Sequence, residues 1–260
     1  MLLLLPDQAA SLRPWFLPDQ PGPLVGLHIL NTGHGACFVD RWPDPRAVLV
    51  TSGGNYTLIG DPDVLPPSPV QGLIAGFVDS TDAWIPMLTV TFPNMQVWER
   101  IMFVLPTQHR VFRSHNAIVR RLDPVDTYQI WGLSPDVAWI AKTWGGPAGL
   151  AASGMAWGAF VDDRLVAVAC TFFVGDHYEE LGVVTEPAFR EMGLSVACAG
   201  ALCEDIQGRG RQPSWTTSPD NHASVRVAEK LGFAFHHHDR LYAIGIRIPP
   251  PAHKSAHEST

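Results

Sequence analysis

From Gly154 to Thr185 the chain runs through three apolar segments, GMAWGAFV, LVAVACTFFV and HYEELGVVT, joined by turns at Asp162-Asp163-Arg164 and Gly175-Asp176. Turns this tight join antiparallel neighbours, so a meander is expected. It leads into a helix from roughly Gly193 to Gln207, with Leu194, Ala197, Cys198, Ala201, Leu202 and Ile206 on one face and Gly208 or Gly210 as the stop. No other stretch restricts the fold as much.

The rest of the chain is arranged around that unit. PSWTTS reads as a strand, Asn221 as the N-cap of a helix over HASVRVAEKLG that Gly232 ends, and FAFHHHD and RLYAIGIRI as two more strands. Upstream, AIVRRLD (117–123) reads as a strand, and PVDTYQIWGL and PDVAWIAKTWGG as short helices with Pro in the first turn. Residues 24–105 read mostly as strands: LVGLHIL, GACFVD, AVLVTS, YTLIGD and LIAGFVD, separated by Gly, Asn, Asp and Pro turns. DVLPPSPV (63–70) is too proline-rich for a helix interior. NMQVWERIMFVL (94–105) spaces its apolar residues for one amphipathic helix. Residues 106–116 lose apolar periodicity and mark a boundary. The expected organisation is an accessory lobe over 1–110, a main domain over 116–248 and a disordered tail over 249–260.

Composition removes several classes of function. Net charge is −7 with Lys and Arg scattered, which leaves no phosphate-neutralising surface for nucleic acid. Four dispersed cysteines, Cys37, Cys170, Cys198 and Cys203, with no CxxC pair indicate free thiols, neither a disulfide framework nor a metal site. His236-His237-His238 is read as structural, because consecutive strand residues face opposite ways, and His34 between two glycines as a turn residue. The apolar opening Met1–Leu5 is cut off by Pro6 below signal-peptide or membrane-span length. The expectation is a cytoplasmic protein with no metal and no nucleic-acid or membrane partner, and with homodimerisation open.

TEPAFREMGLS, at the strand-to-helix turn, carries the chemistry. A helix that starts directly after a strand leaves its first N–H groups unpaired and its positive dipole end exposed. Gly193 removes the side chain that would block an anion there, and Ser195 is nearly as small. The amides of Arg190, Glu191, Met192, Gly193, Leu194 and Ser195 can form a nest for phosphate groups, with Arg190 adding charge. A capping turn without a ligand is the plainer alternative. No GxGxxG or GxxxxGK[ST] occurs, so neither a dinucleotide nor a nucleoside triphosphate is indicated.

VVTEPAFREMGLS resembles the acyl-CoA pyrophosphate-binding signature of the GNAT superfamily of N-acetyltransferases, in which Arg or Gln is followed by two residues, Gly, one residue, then Gly or Ala. NHASVRVAEKLGF (221–233) resembles the superfamily's later motif, in the usual order and about thirty residues on. The N-terminal half looks, more loosely, like the first lobe of two-lobed members, often a degenerate copy of the fold. The resemblance implies a mixed α+β fold, a central, mostly antiparallel sheet flanked by helices, with a second, smaller N-terminal lobe. It further implies acetyl-CoA as co-substrate and direct attack by the primary amine of a small molecule in a ternary complex. The backbones of Val183 and Thr185 would align the pantetheine arm, and Asn221 joins the cofactor-binding set.

For the base, Glu179 and Glu180 precede the cofactor loop. Strand neighbours face opposite ways, so one of them faces the cleft and the other solvent or an ion pair; Glu180 is favoured, and two surface carboxylates without a role is the alternative. The Tyr that often serves as general acid in the superfamily is replaced by Ala228, and a carboxylate used by some relatives by Thr216. Ser224 can donate to the leaving thiolate or be a helix-cap residue only. A non-catalytic acyl-CoA-binding or regulatory protein is the alternative function, and an aminoacyl transferase using charged tRNA a third, disfavoured by the acidic charge.

Overall fold

The computed structural model describes residues 1–106 and 117–250. The described strands are β1 (Leu2–Leu3), β2 (Ala36–Val39), β3 (Ala47–Ser52), β4 (Asn55–Gly60), β5 (Gly76–Ser80), β6 (Gln96–Val104), β7 (Ile118–Arg121), β8 (Ala156–Val161), β9 (Arg164–Val174), β10 (Tyr178–Thr185), β11 (Gln212–Thr217) and β12 (Ala234–Ile244). They form one sheet in the order β1-β2-β3-β4-β5-β12-β6-β11-β10-β9-β8-β7. Only β4–β5 and β10–β11 pair in parallel. The α-helices are α1 (Pro6–Ala9), α2 (Val25–Thr32), α3 (Pro67–Gln71), α4 (Ile85–Thr91), α5 (Thr127–Trp131), α6 (Pro147–Ala152), α7 (Leu194–Gly208) and α8 (His222–Leu231), with 3-10 turns that include Ala138–Trp144.

The expected meander is β8-β9-β10. Its first turn sets both Asp162 and Asp163 at positive φ (48° and 59°), the geometry of a two-residue hairpin turn that short polar side chains tolerate. Helix α7 packs Leu194, Cys198, Leu202 and Ile206 on Ala167, Ala169, Leu181 and Trp215. The opposite face of the same strands is covered by α5, α6 and the 138–144 turn, through Ile130, Leu150 and Ile140 against Val168, Cys170 and Val184. In the N-terminal half, α2 lies on β2–β4 through Val25, Leu27 and Ile29, and α3, the 3-10 turn Asp82–Trp84 and α4 cover the other face with Val70, Trp84 and Leu88.

Four local expectations are corrected. LVGLHIL is helix α2, not a strand; Val25 to Ile29 are all buried, so the run carries no period to read, and Gly26 lets the helix close on Phe16, whose ring a Cβ would meet at 2.3 Å. NMQVWERIMFVL contains strand β6 rather than a helix, hydrogen-bonded on both sides to β12 and β11; a strand with apolar residues on both faces imitates helical spacing. The two C-terminal strands are one, β12, with an irregularity between Phe235 and His237. The 63–70 segment does end in a short helix, α3, which tolerates its prolines because they fall in the first turn. Helices α4 and α6 had no counterpart in the expectations.

The two halves of the chain share the sheet. β6 precedes the 106–116 segment yet lies between β11 and β12, which follow it. The segment itself, Pro106 apart, lies outside the described residues, as do positions 251–260 of the tail. His28 of α2 ties the halves together. It is fully buried, its Nε2 bonds the Thr143 carbonyl at 2.9 Å and its Nδ1 accepts from the Val174 N–H at 3.3 Å. Burial pushes its pKa down to about 4, so the ring sits neutral between the two halves of the chain.

Candidate active site

The cleft begins where two strands part. β10 and β11 pair over three positions, Tyr178 with Gln212, Glu179 with Pro213 and Glu180 with Ser214. The register against β9 then shifts between Glu180 and Leu181, while β11 continues against β6. The far half of β10 therefore keeps β9 on one edge and has lost β11 from the other. The Glu186 N–H donates to the Val166 carbonyl at 2.8 Å, on the β9 side. Backbone direction alternates along a strand, so the peptide groups of Thr185 and Val183 face the vacated edge. An extended amide-bearing chain can add there by backbone hydrogen bonds.

The mouth of α7 continues that edge. Glu191 and Gly193 both take left-handed backbone (φ 67° and 76°), folding the turn back so that its amides converge. Gly193 is the N-cap and no side chain caps the helix. A Cβ built at 193 meets no other part of the described residues within 4 Å, so the space beside Gly193 is open. Arg190, Glu191, Met192 and Gly193 are exposed, whereas Leu194 is buried and anchors the first turn. The Thr185 and Ser195 hydroxyls hydrogen-bond at 2.8 Å, which holds the helix mouth to the end of β10. Open strand edge and anion-seeking mouth thus follow one another, an arrangement that fits an amide-containing arm ending in a diphosphate.

The two adjacent glutamates have different surroundings. Glu179 is fully buried and its carboxylate is committed: it accepts from Thr171 Oγ1 (2.5 Å), Arg209 Nε (3.0 Å) and Nη2 (2.7 Å), and Arg211 Nη1 (3.1 Å). It fastens β10 to the end of α7 and has no oxygen left for a substrate. Glu180 lies on the opposite face, 7% exposed, at the last paired position before the strands part. Its Oε2 has no hydrogen-bond partner among the described residues. Burial raises its pKa from 4.5 to about 7, against a hydrogen bond from Thr216 and the nearby Arg100 charge, with Asp239 and Asp79 adding to the rise. A carboxyl of this kind can take a proton near neutrality.

Registry places further polar groups on Glu180's face. Ser214 lies opposite Glu180, Thr216 opposite Met102, Arg100 opposite Asp239, and Ala243, two pairs along, opposite Phe77. Side chains two apart share a face, so Glu180, Thr216, Met102, Arg100, Asp239, Phe77 and Asp79 line one trough. Asp79, Arg100 and Asp239 were not singled out in the sequence. Arg100 fell inside the expected helix, and the other two gain meaning only once β5 and β12 are adjacent.

Asn221 and Ser224 sit on the other side of the cleft, at the start of α8. The Asn221 side chain accepts from the Ser224 N–H at 3.2 Å and so caps the helix. The Ser224 hydroxyl accepts from the Trp215 indole at 3.0 Å, which leaves its own hydrogen to donate. Ala228 is fully buried in the core beneath α8. The irregularity in β12 breaks the alternation expected of His236 and His237, whose Nδ1 atoms lie 2.7 Å apart. Among the described residues no group of three or more His, Cys, Asp or Glu is placed to hold a metal ion. No described helix is long and apolar enough to cross a membrane.

Comparison with known proteins agrees with this geometry. The sequence model of the GNAT acetyltransferase family matches residues 24–242. An uncharacterized N-acetyltransferase of the mutA 5' region of Streptomyces virginiae is 37% identical over 212 residues, covering 80% of this chain and 90% of that one. The uncharacterized N-acetyltransferase YdfB of Bacillus subtilis is 25% identical over 245 residues, covering 86% and 91%. The crystal structure of a GCN5-related N-acetyltransferase-like protein from Streptococcus suis superposes with a TM-score of 0.69 at 17% identity, covering 92% of this chain and 98% of that one. Parted strands, a glycine-opened helix mouth and a family match spanning most of the chain lead to one conclusion: the protein belongs to the GNAT acetyltransferase family and is an acyltransferase.

Proposed function

We propose that the protein transfers the acetyl group of acetyl-CoA to the primary amine of a small molecule, by direct attack with both substrates bound. The observation that carries the reading is Glu180, a buried carboxyl with an unpartnered oxygen and a pKa near 7 where β10 and β11 separate. Acetyl-CoA supplies the activated acetyl thioester. Val183 and Thr185 would align its arm along the vacated strand edge, and the amides from Arg190 to Ser195 would hold its diphosphate.

Glu180, ionised, takes a proton from the acceptor ammonium or from the nitrogen as the new C–N bond forms, directly or through a water. Backbone N–H groups on the open edge of β10 stand where charge develops on the thioester oxygen. As the C–S bond breaks, Ser224 is positioned to give its hydroxyl hydrogen toward the sulfur, a role its bond from Trp215 leaves open. Glu179 keeps β10 in place and does not touch the reaction.

The test measures release of free CoA thiol with a panel of primary amines at pH 6–9. Turnover is expected with at least one of them, with an acidic limb near pH 7 and a fall in kcat of roughly 10²–10⁴-fold for Glu180→Gln. Tight acetyl-CoA binding with no thiol release from any amine, and no effect of Glu180→Gln, would establish a binding or regulatory role instead.

A further inference from the structure

Asp79 stands at the other end of the trough from Glu180, and the transfer chemistry has no use for it. It comes from β5, and its nearest polar contact is a long hydrogen bond from Thr57 Oγ1 at 3.4 Å. The charged groups that act with it are Asp239 on β12 and Glu180 on β10, and both of these act in turn on Arg100 of β6. Arg100 lies directly opposite Asp239 in the ladder and stacks on Trp98, its guanidinium carbon 3.9 Å from the ring centre. Its charge meets that of Glu180 first, then those of Asp239 and Asp220. One guanidinium thus faces more negative charge than it can balance, and the carboxyls at the two ends of the row, Glu180 and Asp79, are in no ion pair among the described residues. Desolvation and the charge of Asp239 bring Asp79 to about 7 as well.

Two further observations show that this trough is built for a ligand. Glu180 is 7% exposed with a buried Oε2 that nothing among the described residues bonds, an acceptor open to a donor such as an ammonium. Such a group costs free energy unless something completes it. Between the carboxyls the same face carries the buried apolar side chains of Met102 and Leu241 beside Thr216, Arg100 and Asp239, and the Phe77 ring lies on the same face as Asp79. Two carboxyls close enough to act on one another, with apolar side chains between them and net negative charge around them, suit an alkyl chain with a cation at each end.

We infer that Asp79 is a specificity-determining residue that receives a second cationic group of the acceptor, so that the preferred acceptors are diamines or polyamines and not monoamines. The inference rests on the reading of Glu180 as the group that meets the reacting amine. It assigns the N-terminal half, through β5, a direct part in choosing the substrate.

The experiment is calorimetric titration of the full-length protein, saturated with CoA at pH 8, with 1,4-diaminobutane and with butylamine. The diamine is expected to bind about ten-fold or more tightly than the monoamine. Asp79→Asn should bring the two within about two-fold by weakening the diamine alone. Titrating the wild type at pH 6.5 in two buffers of different ionisation heat gives a measurement free of any variant: the diamine should release more protons than butylamine, because a cation beside Asp79 and Glu180 favours their ionised forms. Equal binding of the two amines, no diamine binding at millimolar concentration, equal proton release, or an Asp79→Asn variant that keeps the preference would each overturn the inference. Should the preference hold with no CoA thiol released in turnover, the subsite stands and the transferase reading falls. Turnover without a diamine preference gives the reverse.

Discussion

Replacing Glu180 by Gln should make the protein more stable at alkaline pH while abolishing most of its activity. In the folded state burial lifts the carboxyl from 4.5 to about 7. At about 1.4 kcal/mol per pH unit, ionising it there costs roughly 3 kcal/mol. A raised folded-state pKa means that the group's stabilising contribution is complete below pH 4.5 and is lost as pH climbs through 7. Gln is nearly isosteric and never ionises, so the variant escapes the loss. The stability difference, variant minus wild type, should be near zero at pH 4.5, grow through pH 6, and level off above pH 8 at about 2–3 kcal/mol once relaxation of the trough is allowed for. His28 titrates in the same range but is common to both proteins, so its contribution cancels in the difference. Urea unfolding at half-unit pH steps measures it. A flat difference, or a variant less stable than the wild type at pH 8, would refute the claim that Glu180 is an uncompensated buried acid.

Gly193→Val should lower acetyl-CoA affinity ten-fold or more, in addition to a left-handed backbone penalty of about 1–2 kcal/mol; Gly208→Ala, in the same helix, is the control and should leave affinity unchanged, both read by equilibrium titration. Glu179→Ala strands Arg211 and Thr171, leaves Arg209 with Asp205 alone, and is expected to cost about 3–5 kcal/mol in urea unfolding, with the pH–rate profile of the remaining folded enzyme unaltered. His28 is held near 4 against an ordinary 6.5, so wild-type stability should fall by roughly 3 kcal/mol as pH drops from 6.5 through 4. His28→Gln should flatten that slope in thermal melts, and an unchanged slope would place the acid sensitivity elsewhere.

What the sequence makes legible follows how local each cause is. The meander, α7 and α8 are set by neighbouring residues: two aspartates that accept left-handed backbone, a glycine at a helix mouth, Asn221 as a cap and Gly232 as a stop. The helix-mouth residues could therefore be numbered before any fold was known. β6 and α2 could not, because both are apolar on more than one side, and burial of that kind erases the period that distinguishes helix from strand. Glu179 and Glu180 mark the limit between the two cases. Alternation says that they face opposite ways, but only Arg209 and Arg211, thirty residues on, decide which one is neutralised. The trough lay beyond reach, since Asp79, Arg100 and Asp239 meet only through strand order.

Strand order also bears on how the chain is made. β12, the last of the described strands in chain order, pairs with β5 on one edge and β6 on the other, so two partial sheets wait as open-edged intermediates until that strand is made. Such contacts between distant parts of a chain fold slowly and leave edges exposed to association in the interval. Synthesis that stops before Ala234 should yield an aggregating product, not a smaller working enzyme. Separately expressed halves should recover a native sheet only when the fragment carrying β12 is supplied to the one carrying β5 and β6.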